Sequence, residues 1–160
     1  DMNEAVKWYT QAAENGSQHA QSELGNCYYW GIGVEKDGVK AVEWFHKAAE
    51  QGNLQAQCRL GNCYFYGYGV ARDYAKSLEW YLKAAEQGDA MAMNDVGIMY
   101  EYGWGVARDI TIAVNWYFKA AAKGNMVAYN NLANCYTYGI GVPVDYKQAR
   151  YWKQKAKECK

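Results

Sequence analysis

The sequence predicts an all-α fold in which one pair of antiparallel helices is repeated about four and a half times. Two observations carry this prediction. Glycines recur at a strict spacing of 36 residues, at Gly16, Gly52, Gly88 and Gly124, and tryptophans recur with the same period from Trp8 to Trp152. Each period also contains two separate turn signals, which divide it into two helices. An unbroken period of this length indicates a repeat architecture, in which each unit buries its apolar face against its neighbours.

The first turn signal precedes the first helix of each unit, which we call helix A. Each of the four periodic glycines is followed by a Ser, Asn or Asp, namely Ser17, Asn53, Asp89 and Asn125. Glycine suits the left-handed residue that ends one helix, and Ser, Asn and Asp are the preferred N-caps of the next. We therefore predict helix A over residues 17–30, 53–66, 89–102 and 125–138.

The second turn signal is a G-x-G-V motif that joins helix A to the second helix of the unit, helix B. It is followed by Asp37, Asp73, Asp109 or Asp145, each a suitable N-cap. Helix B is predicted over residues 3–15, 37–51, 73–87, 109–123 and 145–158. Residues 1–160 thus form a single domain with a lone helix B in 1–16 and full repeats at 17–52, 53–88, 89–124 and 125–160.

Helical periodicity predicts which faces are buried. On the first helix A, Leu24, Gly25 and Tyr28 share one arc, and a small residue at the second position lets a neighbouring helix backbone approach closely. On helix B, Ala41 and Trp44 begin the matching apolar stripe. The cysteines at 27, 63 and 135 share one core position with a methionine at 99, so we expect them to fill space as reduced thiols.

The motif L-G-x-x-Y-x-x-G-x-G-V-x-x-D, followed by A-x-x-W-x-x-x-A-A-x-x-G, resembles the Sel-1-like repeat, a relative of the tetratricopeptide repeat. The segment LGNCYFYGYGVARDYAKSLEWYLKAAEQG (60–88) matches it nearly position for position. The resemblance implies a right-handed α-solenoid with helix A lining a concave groove, and an adaptor or scaffold role without catalysis. A cysteine-rich secreted branch carries cysteine pairs eight residues apart; this chain has none, so that branch's disulfides are not expected.

Composition argues against several other classes of function. Seventeen basic and seventeen acidic side chains cancel, so no basic field attracts nucleic acid. No apolar run is long enough to span a membrane, and membrane insertion is not expected. Five cysteines without a C-x-x-C pair, beside two histidines, predict no metal or other cofactor. The reduced cysteines favour a cytoplasmic protein, although a chain that starts at Asp1 can have lost a signal peptide.

No motif for catalysis is present. H-E-x-x-H and G-x-S-x-G are absent, and the fourfold G-x-G-V is a structural turn that binds no phosphate. His19 and His46 lie in different element types, and we expect both to be partly exposed surface residues. A Cys58–His pair has no supporting motif. A hydrolase activity on cell-wall or antibiotic-like substrates is the weakest alternative.

The arc of helix A opposite the buried arc is predicted to face the groove and to bind a protein or peptide partner. Asparagine can donate to and accept from a peptide backbone, and Tyr and Trp supply rigid contact area. The alternative is that these asparagines bond neighbouring backbone and the aromatics pack between units. The predicted groove residues are Asn26, Tyr29, Trp30, Arg59, Asn62, Phe65, Tyr66, Asn94, Tyr102, Asn130, Asn134 and Tyr138.

The variable slot of G-x-G-V holds apolar residues throughout: Ile32, Tyr68, Trp104 and Ile140. We call these four residues the edge strip. If exposed, the strip predicts a second binding mode, in which folded domains dock on the edge of the solenoid. If buried, it serves inter-repeat packing, and the sequence leaves both possibilities open. The preferred function is binding of an extended peptide or a helix in the groove.

The two ends of the chain carry different predictions. Lys153 and Lys157 replace apolar residues of helix B, which is typical of a C-terminal cap. At the other end, residues 1–16 are a helix B whose helix A is missing, so Trp8, Tyr9 and Ala12 lack part of their packing. We expect this face to be covered by further repeats of a longer array, by a partner or by a second copy of the chain.

Overall fold

The computed structural model describes residues 2–158, which form nine α-helices of 13 residues each and contain no strand. Helix B corresponds to α1 (Met2–Glu14), α3 (Gly38–Glu50), α5 (Tyr74–Glu86), α7 (Ile110–Ala122) and α9 (Tyr146–Glu158). Helix A corresponds to α2 (Gln18–Trp30), α4 (Leu54–Tyr66), α6 (Ala90–Tyr102) and α8 (Met126–Tyr138). The all-α prediction is confirmed, and Cys159 lies outside the described residues. None of the helices described here has the length and apolar character that crossing a bilayer requires.

The predicted caps explain why the helix boundaries were readable from the sequence. The Asn53 side chain accepts a hydrogen bond from the Ala56 backbone N–H at 2.9 Å, and the equivalent cap residues of α2, α6 and α8 do the same. Each helix A ends at a left-handed glycine, as at Gly67, whose φ is 71°. These signals act within one turn of chain, so they do not depend on tertiary context.

The chain divides into two compact units, residues 1–83 and residues 84–160. In the first unit α1 packs on α2, α2 on α3 and α3 on α4, and neighbouring helices run antiparallel. The Lys40 ammonium at the start of α3 thus lies 5.3 Å from the ring centre of Tyr28 near the end of α2. In the second unit α6 packs on α7, α7 on α8 and α8 on α9.

A glycine in helix A packs against an aromatic ring of the following helix B. A Cβ added to Gly25 would lie 2.6 Å from the Phe45 ring, and one added to Gly97 would lie 2.6 Å from the Tyr117 ring. Gly61 faces Tyr81 in the same way. The small residue therefore makes room for an aromatic ring. The prediction that it lets a helix backbone approach was wrong, because the nearest atoms belong to a side chain. In the last repeat, alanine replaces this glycine and Lys153 replaces the ring.

The periodic tryptophans pack towards the preceding repeat. Trp80 is 7% exposed, with the His46 ring 5.5 Å away, whereas Trp152 lies 5.9 Å from the Phe118 ring. Trp8 has no preceding helix pair to pack against in this chain and is 66% exposed. The Trp8 ring is therefore open to solvent, beside the polar side chains of Glu4, Lys7 and Gln11.

Candidate partner-binding site

The most exposed predicted residues are the aromatics that end each helix A. Trp30 and Tyr66 in the first unit, and Tyr102 and Tyr138 in the second, are each more than half exposed. Each directly precedes the left-handed glycine that terminates its helix. Because the chain turns away at that glycine, the ring is left accessible at the end of the helix.

The asparagines predicted for the groove have different environments. The Oδ1 atom of Asn62 accepts a hydrogen bond from the Tyr81 hydroxyl at 2.6 Å. The equivalent Oδ1 atom of Asn26 is buried without a hydrogen-bond partner, since Phe45 stands where Tyr81 stands and has no hydroxyl. Asn134 is exposed. The side-chain carbonyl groups of Asn62 and Asn26 therefore point between packed helices, whereas that of Asn134 can reach a partner.

Asn94 departs from the groove prediction. It is 2% exposed, and its Oδ1 atom accepts a hydrogen bond from the Asn131 side chain at 2.9 Å. The reason is that α8 covers this side of α6. Asn130, one repeat further on, is exposed, and its amide donates to the Met126 carbonyl at 3.1 Å within α8.

The remaining groove residues of the first unit contact one another. The Arg59 guanidinium lies 5.7 Å from the ring centres of both Tyr29 and Trp30, which is cation–π distance. Tyr68 packs on Tyr29 with ring centres 4.5 Å apart and donates to the Tyr29 carbonyl at 3.1 Å. Phe65 contacts the Tyr66 ring at 5.0 Å.

The edge strip is neither fully exposed nor fully buried. Ile32 is 39% exposed, whereas Tyr68 and Ile140 are half-buried. Trp104 is also half-buried and stacks on the Tyr102 ring, with ring centres 5.0 Å apart. The strip is therefore tied to the ends of the A helices rather than displayed as a separate surface.

The second unit contains a cleft of about 290 Å³ between α6 and α8. Three predicted groove residues, Tyr102, Asn134 and Tyr138, line it together with Ile140 of the edge strip. Glu101 also lines it, and its Oε2 atom accepts a hydrogen bond from the Tyr117 hydroxyl at 2.5 Å. Burial, and then the bond to Glu101, raises the pKa of Tyr117, so this hydroxyl stays a neutral donor.

Glu101 lies on the arc of helix A that is predicted to face the groove, but neither Glu101 nor Tyr117 is among the residues predicted for the site. A signal for Glu101 exists, because the period places it at the position held by Tyr29 and Phe65 in earlier repeats. A carboxylate at a position that holds an aromatic residue in the first two repeats indicates a local change in what the surface can bind. The sequence indicates Tyr117 only as a packing residue of α7. That its hydroxyl reaches the cleft depends on how α7 packs against the neighbouring helices.

His46 and the buried cysteines take part in packing, whereas His19 is exposed. His46 is half-buried, its Nε2 lies 2.9 Å from the Tyr64 hydroxyl, and burial lowers its pKa. Burial raises the pKa of Cys63 to about 12 and that of Cys135 to about 11. Such thiols are poor nucleophiles at neutral pH. No cluster of His, Cys, Asp and Glu in residues 2–158 is suited to hold a metal ion.

The Sel1 repeat family model matches five consecutive segments, residues 1–17, 18–53, 54–89, 90–125 and 127–160. The chain belongs to the Sel1 repeat family. Members of this family are generally scaffolds for protein–protein interaction. A search of curated proteins finds no match for this Sel1 repeat chain.

Solved structures with the same fold include two that are similar in sequence. The protective antigen c5321 of uropathogenic Escherichia coli is 44% identical with a TM-score of 0.95, and the match covers 99% of this chain and 34% of that one. A Sel1 repeat protein of Oxalobacter formigenes is 40% identical with a TM-score of 0.93, covering 98% and 62%. Cysteine rich protein B of Helicobacter pylori is 25% identical with a TM-score of 0.62, covering 80% and 92%. The present chain thus spans about a third and three-fifths of the first two relatives.

Proposed function

We propose that this protein is a non-enzymatic interaction module that binds an extended peptide or a helix of a partner protein on its helix-A faces. The observation that carries the proposal is the exposed aromatic residue at the end of every helix A. Tyr66 is 74% exposed and Tyr138 is 72% exposed, although both belong to helices whose other faces are buried. Tyr and Trp side chains lose little conformational entropy on binding and are enriched among residues that dominate binding energy.

Polar groups beside these aromatics favour a peptide ligand. Asn130 and Asn134 are exposed on α8, on the side of the helix that ends at Tyr138. A side-chain amide can donate to a peptide carbonyl and accept from a peptide N–H, which holds an extended backbone without reading its sequence. Aromatic anchors and amides together therefore suit a segment of polypeptide better than a small apolar ligand.

Selection from a phage-displayed peptide library tests this proposal directly. We expect the purified chain to select peptides, and Tyr138→Ser to weaken their binding by about tenfold, equivalent to about 1.4 kcal/mol. Tyr146→Ser is the matched control, because Tyr146 is 63% exposed but lies on a helix B. Circular dichroism shows whether each variant keeps its helicity.

The same measurement separates the two candidate surfaces. Peptides that lose affinity in Tyr68→Ser and Trp104→Ser, but keep it in Tyr66→Ser and Tyr138→Ser, would place binding on the edge strip and contradict the helix-A proposal. Equal loss in Tyr138→Ser and the Tyr146→Ser control would show that the exposed helix-A aromatics have no special role. Failure to select any peptide would also count against the proposal.

Self-association through α1 is a second part of the proposed function. Trp8 and Met2 are 66% and 64% exposed on this helix, whereas the equivalent Trp80 is 7% exposed. Covering the exposed Trp8 ring with a second copy removes apolar area from water, which favours association. We expect dimers in sedimentation velocity at tens of micromolar, and monomers for Trp8→Ser; a wild-type monomer under these conditions would refute this part.

A further inference from the structure

The repeat allows the cleft of the second unit to be compared with the equivalent place in the first unit. Residues that are 72 positions apart, which is two full repeats, occupy equivalent positions in the two units. It relates Trp30 to Tyr102, Asn62 to Asn134, and Tyr66 to Tyr138, so the exposed rim of the two places is similar. The two units therefore differ in the side chains that lie between these exposed residues.

In the first unit, side chains of the chain itself occupy the place inside the rim. Tyr68 packs on Tyr29 and hydrogen-bonds to its backbone carbonyl. Arg59 extends from α4 over the rings of Tyr29 and Trp30, each ring centre lying 5.7 Å from the guanidinium carbon. An arginine guanidinium on two aromatic rings is thus the group that this arrangement of helices already accommodates.

In the second unit, all three of these internal residues are replaced by residues that leave the space open. Ile140 stands in place of Tyr68 and is shorter. Asn131 stands in place of Arg59 and bonds to Asn94 instead of crossing the aromatic residues. Glu101 stands in place of Tyr29, so a carboxylate replaces a ring at the wall of the cleft.

Glu101 is the charged side chain that lines the open cleft, and the nearby Arg108 donates from Nε to the Glu101 backbone carbonyl at 2.8 Å rather than to its carboxylate. Helices α6 and α8 contain no Lys or Arg. Among the ion pairs of residues 2–158 none involves Glu101, whose Oε2 atom receives only the neutral Tyr117 hydroxyl. A carboxylate has acceptor sites on two oxygens, so Glu101 keeps acceptor capacity for a charged donor.

We propose that the cleft between α6 and α8 receives an arginine or lysine side chain of the bound partner, with Glu101 as the acceptor and Tyr102 and Tyr138 as its aromatic walls. This inference rests on the proposed function, since it names the chemistry of one anchoring residue in the peptide. The incoming cation takes the place that Arg59 takes in the first unit. Charge-assisted hydrogen bonds and cation–π contacts together give such a residue more binding energy than its neutral isostere.

Citrulline provides the test, because it has the shape of arginine without the charge. In a peptide selected as described above, each arginine is replaced in turn by citrulline, and each lysine by norleucine. We expect one such replacement to weaken binding to the wild-type chain by at least about tenfold. The same replacement should have at most about a twofold effect on Glu101→Gln, because the variant side chain has lost the charge that pairs with the cation.

A second variant fills the cleft from within. Asn131→Arg restores the residue that the first unit has at this position, and its guanidinium can then lie beside Glu101 and Tyr102. We expect it to weaken the arginine-containing peptide and to abolish the difference between arginine and citrulline. Because this change also removes the bond to Asn94, thermal unfolding must show that the variant is folded.

A direct probe keeps this inference separate from the proposed function. N-acetyl-arginine methylamide, titrated with the citrulline analogue as control, should shift the NMR signals of the Asn134 side-chain amide in the wild-type chain and not in Glu101→Gln. Peptides that bind equally well with arginine or citrulline would overturn the inference and leave the proposed function intact. Shifts caused by the capped arginine without any peptide binding would support the cleft chemistry and count against the proposed function.

Discussion

Phe45→Tyr is expected to stabilise the protein, and it tests how the helix pairs satisfy their buried polar groups. In the second repeat the Tyr81 hydroxyl donates to Asn62 at 2.6 Å across the helix pair. In the first repeat the equivalent residues are Phe45 and Asn26, and the Oδ1 atom of Asn26 is buried without a partner. A hydroxyl added to Phe45 would therefore arrive where an acceptor is already present.

The size of the effect follows from this pair of equivalent sites. A buried hydrogen bond contributes about 0.5–1.5 kcal/mol net, and a buried acceptor left without a partner costs about 1–3 kcal/mol. Phe45 is fully buried, so making room for one oxygen atom offsets part of this gain. We expect a gain of about 1 kcal/mol, which corresponds to about 2–4 °C in Tm for a chain of this size.

Urea and thermal unfolding followed by circular dichroism measure the change. Tyr81→Phe is the matched variant. It should lose about 1–3 kcal/mol of unfolding free energy, because it leaves the Asn62 Oδ1 atom without a hydrogen-bond partner, as the Asn26 Oδ1 atom is in the wild type. The gain from Phe45→Tyr should disappear in an Asn26→Ala background, which isolates the pairwise contribution. Phe45→Tyr that is neutral or destabilising, beside a destabilising Tyr81→Phe, would refute the reasoning.

Three further changes have expected results. Gly69→Ala should cost well over 2 kcal/mol in unfolding free energy, because its φ is +70° and a Cβ would overlap the Gly38 carbonyl; Gly16→Ala, at φ +89° with no atom within 4 Å, should cost only about 1–2 kcal/mol. Asp95→Asn should stabilise the protein at pH 7: burial raises the pKa of Asp95 to about 6 in the folded state, so the unfolded chain ionises first and the contribution of Asp95 to stability falls between about pH 4 and pH 6. The gain in unfolding free energy of Asp95→Asn over the wild type should therefore be larger at pH 7 than at pH 4 in urea unfolding, and an equal gain at the two pH values would contradict it. The Cys63 thiol, with a pKa of about 12, should react with a thiol reagent at pH 8 only after denaturation, and fast reaction in the folded protein would contradict its burial.

The sequence by itself determined the helices and their order. Asn53 and Gly67 set the start and end of α4 through contacts within one turn of chain, and the 36-residue period repeats these signals without interruption. Such local signals act in the same way in any tertiary context. The exposed aromatics at the ends of the A helices followed from the same register, because they directly precede the terminating glycine.

Only the tertiary structure decided what each side chain contacts. Asn94 and Asn130 share a repeat position, yet the first is covered by α8 and the second is exposed, since no described helix A packs on α8 from the other side. The period likewise shows that Glu101 replaces Tyr29, but not that a cleft opens there or that the Tyr117 hydroxyl reaches it. These outcomes depend on which neighbouring side chains fill a shared space, and residues of several helices determine that together.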